Sequence, residues 1–309
     1  MHNSHNIANI ANLKPYNRKN MVLNVLICTL DKGILHIPEM LLSERKDVEY
    51  IVSWQYTDKH ILSMLPQELQ SRPDVHVWTL PGKGLSRNRN NALSHATGDI
   101  CLTADDDMRY CDAYFDTILD TFRQHPEVDI AQFRAQGYDG KWQKTYPPKS
   151  YRYNPNDLNC IYPSSIELAM KRSVWERGLR FNPLFGLGAD YLHAGEEEIL
   201  LLEAYHKKME IRYFPFCIAQ SDPISTGMFF TSRPGVQRAK GAVFYKRFGL
   251  WNALYRTVRE GLSWCIRKRN NPFSIWWHML QGIAYICKQE QAANSTTTQT
   301  GNHHPAAEV

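Results

Sequence analysis

Gly84-Leu-Ser-Arg-Asn-Arg-Asn-Asn-Ala-Leu-Ser-His-Ala-Thr-Gly-Asp-Ile-Cys-Leu-Thr-Ala-Asp-Asp-Asp107 carries the strongest local signal in the chain. Leu85 to Ala96 has helical spacing, Gly98 stops it, and Ile100 to Thr103 is a short apolar run of the kind buried in a strand. Asp105, Asp106 and Asp107 then follow directly. Three adjacent like charges repel one another unless a cation sits among them. A divalent metal with oxygen ligands, shared with a phosphate, is the usual partner for such a cluster.

The flanking sequence repeats the alternation. Val22 to Leu30 is nearly continuous in apolar residues, as expected for a strand buried on both faces of a parallel sheet. Ile34 to Glu44 has helical spacing, and Val48 to Ser53 reads as a second strand. A second helix is expected over Asp58 to Gln70 with Asp58 as its cap, and a third strand over Val75 to Leu80. The order β-α-β-α-β-α-β with short connections predicts an α/β fold with right-handed crossovers. Ligands of such sheets sit beyond the carboxyl ends of the strands, where Thr29, Asp31 and the Asp triplet all fall.

Beyond the triplet the character changes. Residues 132–162 are rich in Tyr, Pro, Asn and Lys and read as irregular structure with short strands. Ser165 to Met170 is expected as a strand, and Ser173 to Gly178 as a short helix capped by Ser173. Gly195-Glu-Glu-Glu198 opens a helix to Lys208 with acids in its first turn and bases in its last, as the helix dipole favours. Ile211 to Ile218 is a further strand, and Gly235 to Lys288 is mostly helical, basic and aromatic. The expected organisation is a polar disordered leader over 1–20, a catalytic domain over 21–234, a helical appendage over 235–288 and a disordered tail over 289–309.

Bulk properties exclude several classes. Hydrophobic content of 43% with 22% charged residues is that of a globular protein, and a net charge of +5 permits anionic partners without requiring them. No long uninterrupted apolar run predicts a spanning helix, and the N-terminus has no signal-peptide core. The seven cysteines are scattered, without a CxxC pair, which fits a reduced, cytoplasmic setting. The chain has no GxGxxG, GxxxxGK[ST] or HExxH motif, and no module for nucleic acid.

The signature Gly84-Leu-Ser-x-x-Arg89-Asn90-x-Ala-Leu-x-x-Ala-Thr-Gly98-Asp99-Ile, running into the acidic triplet, resembles that of the family 2 glycosyltransferases with the GT-A fold. A second match is Gly195-Glu-Glu197 at a helix start. The resemblance covers roughly residues 21–225. It implies a GT-A-like, Rossmann-related sheet, mixed but mostly parallel, flanked by helices. It further implies transfer of a sugar from a nucleotide-sugar to an acceptor hydroxyl, usually with inversion. A DxD-type motif would hold a divalent metal, Mn²⁺ or Mg²⁺, on the donor diphosphate, which maps onto Asp105 and Asp107. The donor-binding candidates are Thr29, Asp31, Gln55, Arg89, Asp105 and Asp106; which Asp meets metal and which ribose stays open. The catalytic base maps onto Glu197, next to Glu196. Two departures stand out: the pair is Glu-Glu where the family has Glu-Asp, and the second strand ends Ser53-Trp-Gln-Tyr56 where the family has an acid. Trp54 or Tyr56 is left to stack on a base, and Gln55 to hydrogen-bond it.

The chemistry of such a transfer needs charge neutralisation at the diphosphate, a proton acceptor and a fixed alignment of the two substrates. The triplet and Glu197 supply the first two, and Lys83, Arg87 and Arg89 are further cations for the phosphates. The expected partners are a nucleoside-diphosphate sugar, UDP-linked, and a saccharide or lipid-linked acceptor in surface polysaccharide or lipopolysaccharide synthesis. Two other readings stand beside this one: a sugar nucleotidyltransferase, weakened by the lack of a Gly-rich loop after the first strand, and a non-catalytic binder on the same fold. The C-terminal helices read equally as a peripheral anchor on the inner face of the cell membrane or as an appendage packed on the core.

Overall fold

In the computed structural model, residues 21–157, 160–222, 229–268 and 272–300 are described. The leader expected over 1–20 lies outside them, as do residues 301–309 of the expected tail. Strands β1 (Leu23–Leu30), β2 (Val48–Tyr56), β3 (Val75–Pro81) and β4 (Ile100–Asp105) pair in parallel, as the alternation predicts. The remaining strands are β5 (Ile130–Gly137), β6 (Tyr151–Arg152), β7 (Leu168–Lys171) and β8 (Ile211–Ser221). Together they form one eight-stranded mixed sheet in the order β3-β2-β1-β4-β7-β5-β8-β6. β7 runs antiparallel between β4 and β5, and β6 is an antiparallel edge on β8.

The continuous apolar run of β1 follows from burial on both faces. Val25 and Ile27 pack on one side with Phe115, Ile118, Leu119 and Phe122 of helix α3 (Asp112–Gln124). Leu26 and Cys28 pack on the other with Ala92 and Leu93 of α2 (Leu85–His95) and Leu200 and Leu201 of α5 (Glu196–His206). The parallel register sets Cys28 beside Asp105 and Leu30 beside Gln55, so the carboxyl ends of β1, β2 and β4 lie side by side.

Several local expectations are corrected. The segment from Ile34 is a 3₁₀ helix over Asp31–Met40, because Pro38 inside it removes a backbone donor. The second helix divides into a 3₁₀ turn at Lys59–Met64 and a short helix α1 (Gln67–Ser71), with Pro66 between them. Asp58 does cap the turn, accepting from the His60 amide at 3.0 Å. The stop after α2 involves Asn24 as well as Gly98: its Oδ1 accepts from the amides of Thr97 and Gly98, both at 2.7 Å. Helix α4 (Ser173–Glu176) has Ser173 inside it rather than at its cap. The strand expected from Ser165 begins with a 3₁₀ turn. Residues 132–162 hold the end of β5 and the short β6, and their other described residues are irregular, as the composition predicts.

Two long helices close the fold: α6 (Pro234–Lys268), broken at Gly249, and α7 (Pro272–Thr300). α7 continues through residues 289–300, where a tail was expected. A Cβ on Gly241 would stand 2.1 Å from the Met279 carbonyl oxygen, and one on Gly282 would stand 1.9 Å from that of Arg238. Only glycine permits this backbone approach, which sets the two helices against each other. Among the described residues no helix is long and apolar enough to cross a membrane.

Candidate functional site

Helix α2 brings the motif residues to the sheet's carboxyl edge and is clamped there by its own polar side chains. Ser86 donates to the Phe185 carbonyl at 2.7 Å, and Asn88 donates to the Thr29 carbonyl at 3.0 Å. Asn90 exchanges two hydrogen bonds with the Phe181 backbone. Asn90 is therefore a clamp between α2 and the loop leading to α5.

Arg89 is the centre of the site. It is 2% exposed, and its Nη1 donates to Glu197 Oε1 at 2.9 Å and to Glu196 Oε1 at 3.3 Å. Its Nη2 donates to Asp105 Oδ1 at 3.2 Å. One buried cation thus joins both glutamates at the start of α5 to the first residue of the acidic triplet, across more than a hundred residues of sequence. Removing this guanidinium would leave the two buried carboxylates, Glu196 and Glu197, uncompensated. Burial, reinforced by the charge of Glu197, pushes the Glu196 carboxyl above its ordinary range despite Arg89.

The triplet is itself under electrostatic strain. Burial, with Asp105 and Asp106 alongside, pushes Asp107 up to about 6. Asp106 is also raised, mainly by burial, although Thr29 donates a 2.5 Å hydrogen bond to its Oδ2. Gly33 lies against that pair: a Cβ there would meet Asp106 Oδ2 at 2.0 Å and Thr29 Oγ1 at 2.3 Å. Among the described residues no three His, Cys, Asp or Glu side chains converge on a metal-binding position. The donor set available to a divalent cation is two carboxylates, Asp105 and Asp107, which suits a hard ion that completes its shell with waters and phosphate oxygens.

A cavity of about 450 Å³ opens at this point. Arg89, Asp105, Asp107, Glu196 and Glu197 all line it. Thr29, Asp31, Gln55 and Asp106 do not; they cluster at the ends of β1, β2 and β4 beside it. Asp31 accepts from the Thr57 amide at 2.7 Å and the Thr57 hydroxyl at 2.8 Å, tying the ends of β1 and β2 together. Gln55 is buried, and its Nε2 has no partner. Trp54 is a core residue whose indole donates to the Asp31 carbonyl at 2.8 Å, so its ring is not a platform for a nucleobase. Lys83 and Arg87 are exposed and away from the cavity.

The far wall comes from the middle segment and the C-terminal helices, and no sequence motif singles out its residues. Lys144 donates to Glu167 at 2.8 Å, Tyr146 donates to the same carboxylate at 2.6 Å, and Glu167 is fully buried. Gln143 and Lys144 line the cavity from the segment read as irregular, and Lys240, Glu260 and Trp264 line it from α6. Glu198 faces it as well, its carboxyl raised by burial with Lys240 opposing. Only the Tyr- and Lys-rich composition of residues 132–162 hinted at such a wall.

A family model described as "Glycosyl transferase family 2" matches residues 16–177, just over half of the chain. No curated protein matches the sequence. Among solved structures, S. aureus TarS 1–349 superposes with a TM-score of 0.55 at 16% identity, covering 85% of this chain and 81% of that one. The complex of TarS 1–349 with UDP-GlcNAc gives 0.55 at 12% identity, over 87% and 92% of the two chains. The complex with UDP gives 0.52 at 17% identity, over 81% and 73%. At these identities the likeness is one of fold.

Proposed function

The chain belongs to glycosyl transferase family 2, and we propose that it moves a sugar from a UDP-linked donor to a hydroxyl of a saccharide or lipid-linked acceptor, with inversion and with a divalent cation. The observation that carries this reading is the Arg89 junction, which fixes Glu196, Glu197 and Asp105 around one cavity. The fold shared with TarS, whose structures include complexes with UDP and UDP-GlcNAc, supports the choice of donor.

The donor nucleotide lies along the carboxyl ends of β1, β2 and β4, by Thr29, Asp31, Gln55 and Asp106, with its diphosphate directed to Asp105 and Asp107. A cation held by those two carboxylates would neutralise the charge gathering on the leaving diphosphate. Glu197 accepts the proton of the acceptor hydroxyl as its oxygen bonds to the anomeric carbon and the bond from that carbon to the diphosphate breaks. Arg89 holds Glu197 in position and donates to Glu196 as well. Glu197 is longer than aspartate by one methylene, and the buried guanidinium restrains that extra freedom. The acceptor enters between Lys144 and the α6 wall, in the service of surface polysaccharide or lipopolysaccharide synthesis, on the cytoplasmic side where its thiols stay reduced.

Release of UDP from a panel of UDP-sugars and oligosaccharide acceptors, with Mn²⁺ present, tests the proposal. Turnover that collapses in Glu197→Gln while UDP binding persists is the expected result. Turnover unchanged in that variant removes Glu197 as the base.

A further inference from the structure

The helical pair α6/α7 has two faces of opposite character. The inner face is buried: Val236, Ala239, Ala242 and Val243 pack against Phe185, Leu192, Ile199 and α7. The outer face beyond the break at Gly249 is apolar and exposed. Trp251, Tyr255, Val258, Leu262 and Ile266 recur every three or four residues, which places them on one stripe of α6. Trp251 is 81% and Ile266 82% exposed. Trp277, 62% exposed, and Leu280 repeat the spacing on α7, and Phe273 joins them while packed edge-on against Trp276. Scattered exposed apolar residues need no explanation, but exposed apolar residues at helical spacing on each of two packed helices do.

Charge identifies what covers it. Residues 247–280 contain six Lys or Arg and a single acid, Glu260. Arg256 and Arg259 form no ion pair among the described residues, and Arg256 has Arg247 and Arg259 as charged neighbours, while Arg247 itself donates to the Pro155 carbonyl. Arg256 stacks 3.8 Å over Phe248, and Arg259 follows the stripe residue Val258 by one position. Arg256, Arg259, Glu260 and Trp264 also line a hollow of about 220 Å³. Its Glu260 and Trp264 are shared with the catalytic cavity. An aromatic and aliphatic stripe edged by unpaired arginines matches an anionic lipid surface, where rings sit at the headgroup boundary and guanidinium groups meet phosphates. A second copy of this chain would bring the same arginines together without neutralising them.

We propose that the outer face of α6 and α7 docks on an anionic bilayer and presents the cavity to acceptors anchored in that bilayer. Docking stands independently of the transfer reaction; only the identity of the acceptor rests on the glycosyltransferase reading.

The test is flotation of the full chain with vesicles of phosphatidylcholine mixed with phosphatidylglycerol, against vesicles of phosphatidylcholine alone. Binding is expected only with the anionic vesicles, and to fall with added salt. Each of Arg256→Ala and Arg259→Ala weakens partitioning about five-fold. The double variant Trp251→Ser, Trp277→Ser weakens it about ten-fold or more. Unchanged circular dichroism and melting in these variants show that the fold persists. Asp107→Ala floats like the native chain even if turnover is lost, which separates docking from catalysis. Absence of binding to anionic vesicles overturns the proposal. A soluble dimer that the same substitutions dissociate does so too, and assigns the stripe to a second copy.

Discussion

The molecule handles charge and apolar surface in opposite ways in two neighbouring regions. At the carboxyl edge of the sheet, Arg89 is buried and in contact with three carboxylates. On α6 beyond Gly249, Arg256 and Arg259 form no ion pair among the described residues, and Trp251, Tyr255, Leu262 and Ile266 face outward. Buried charges must be compensated within the chain, since leaving one unpaired costs several kcal/mol. Surface charge is solvated by water and needs no partner, but large apolar side chains exposed together mark a surface that meets something outside the chain. The first region is thus built to hold a fixed geometry, and the second is the face for which docking on a bilayer is proposed.

The largest expected effects lie in the first region. Glu197→Gln should lower kcat about 10²–10⁴-fold with little change in UDP affinity, as measured by UDP release and calorimetry. Arg89→Met should destabilise the protein by about 3–5 kcal/mol in urea unfolding, because it strands buried carboxylates. If Arg89→Met is as stable as the native chain, the junction is not a compensated site and the comparison fails. Gly282→Ala tests the interior of the helical pair: its Cβ would meet the Arg238 carbonyl, so a loss of about 1–3 kcal/mol is expected.

A pH series sharpens the contrast. The Glu196 carboxyl is raised above its ordinary value of 4.5 by burial and Glu197. The folded state therefore holds a proton that the unfolded state has released, and stability falls as pH rises from about 4.5 toward neutrality. Glu196→Gln removes that dependence, so its stability relative to the native chain should grow over this range and show no advantage below it, read from urea midpoints at each pH. The smallest effect belongs to the outer stripe: Trp251→Ser should change the unfolding free energy by no more than about 0.5 kcal/mol. A large loss there would mean that the stripe supports the fold.

The parallel half of the sheet was legible because each of its strands is an apolar run bounded by turn residues, and its helix α2 carries a dense motif. Five of the residues expected from the sequence, Arg89, Asp105, Asp107, Glu196 and Glu197, meet at one cavity. Their meeting is written in no local pattern: Arg89 and Glu197 are far apart in the chain, and only the crossing of α2 and α5 over the sheet joins them. The role of Trp54 was misread because the end of a strand and its core look alike in sequence; the indole turns inward to the Asp31 carbonyl. Strand β5 was obscured by Gln132 and Arg134, polar residues within an otherwise buried strand. Lys144 pairs with the buried Glu167 from two segments that show no spacing rule.

Calorimetric titration of UDP into the purified chain, with and without Mn²⁺, tests the central claim most directly. Saturable binding that requires the metal and is lost in Asp107→Ala is the predicted result. Binding of UDP that is indifferent to both metal and Asp107, or no binding under any metal condition, would contradict a donor site built on the acidic triplet.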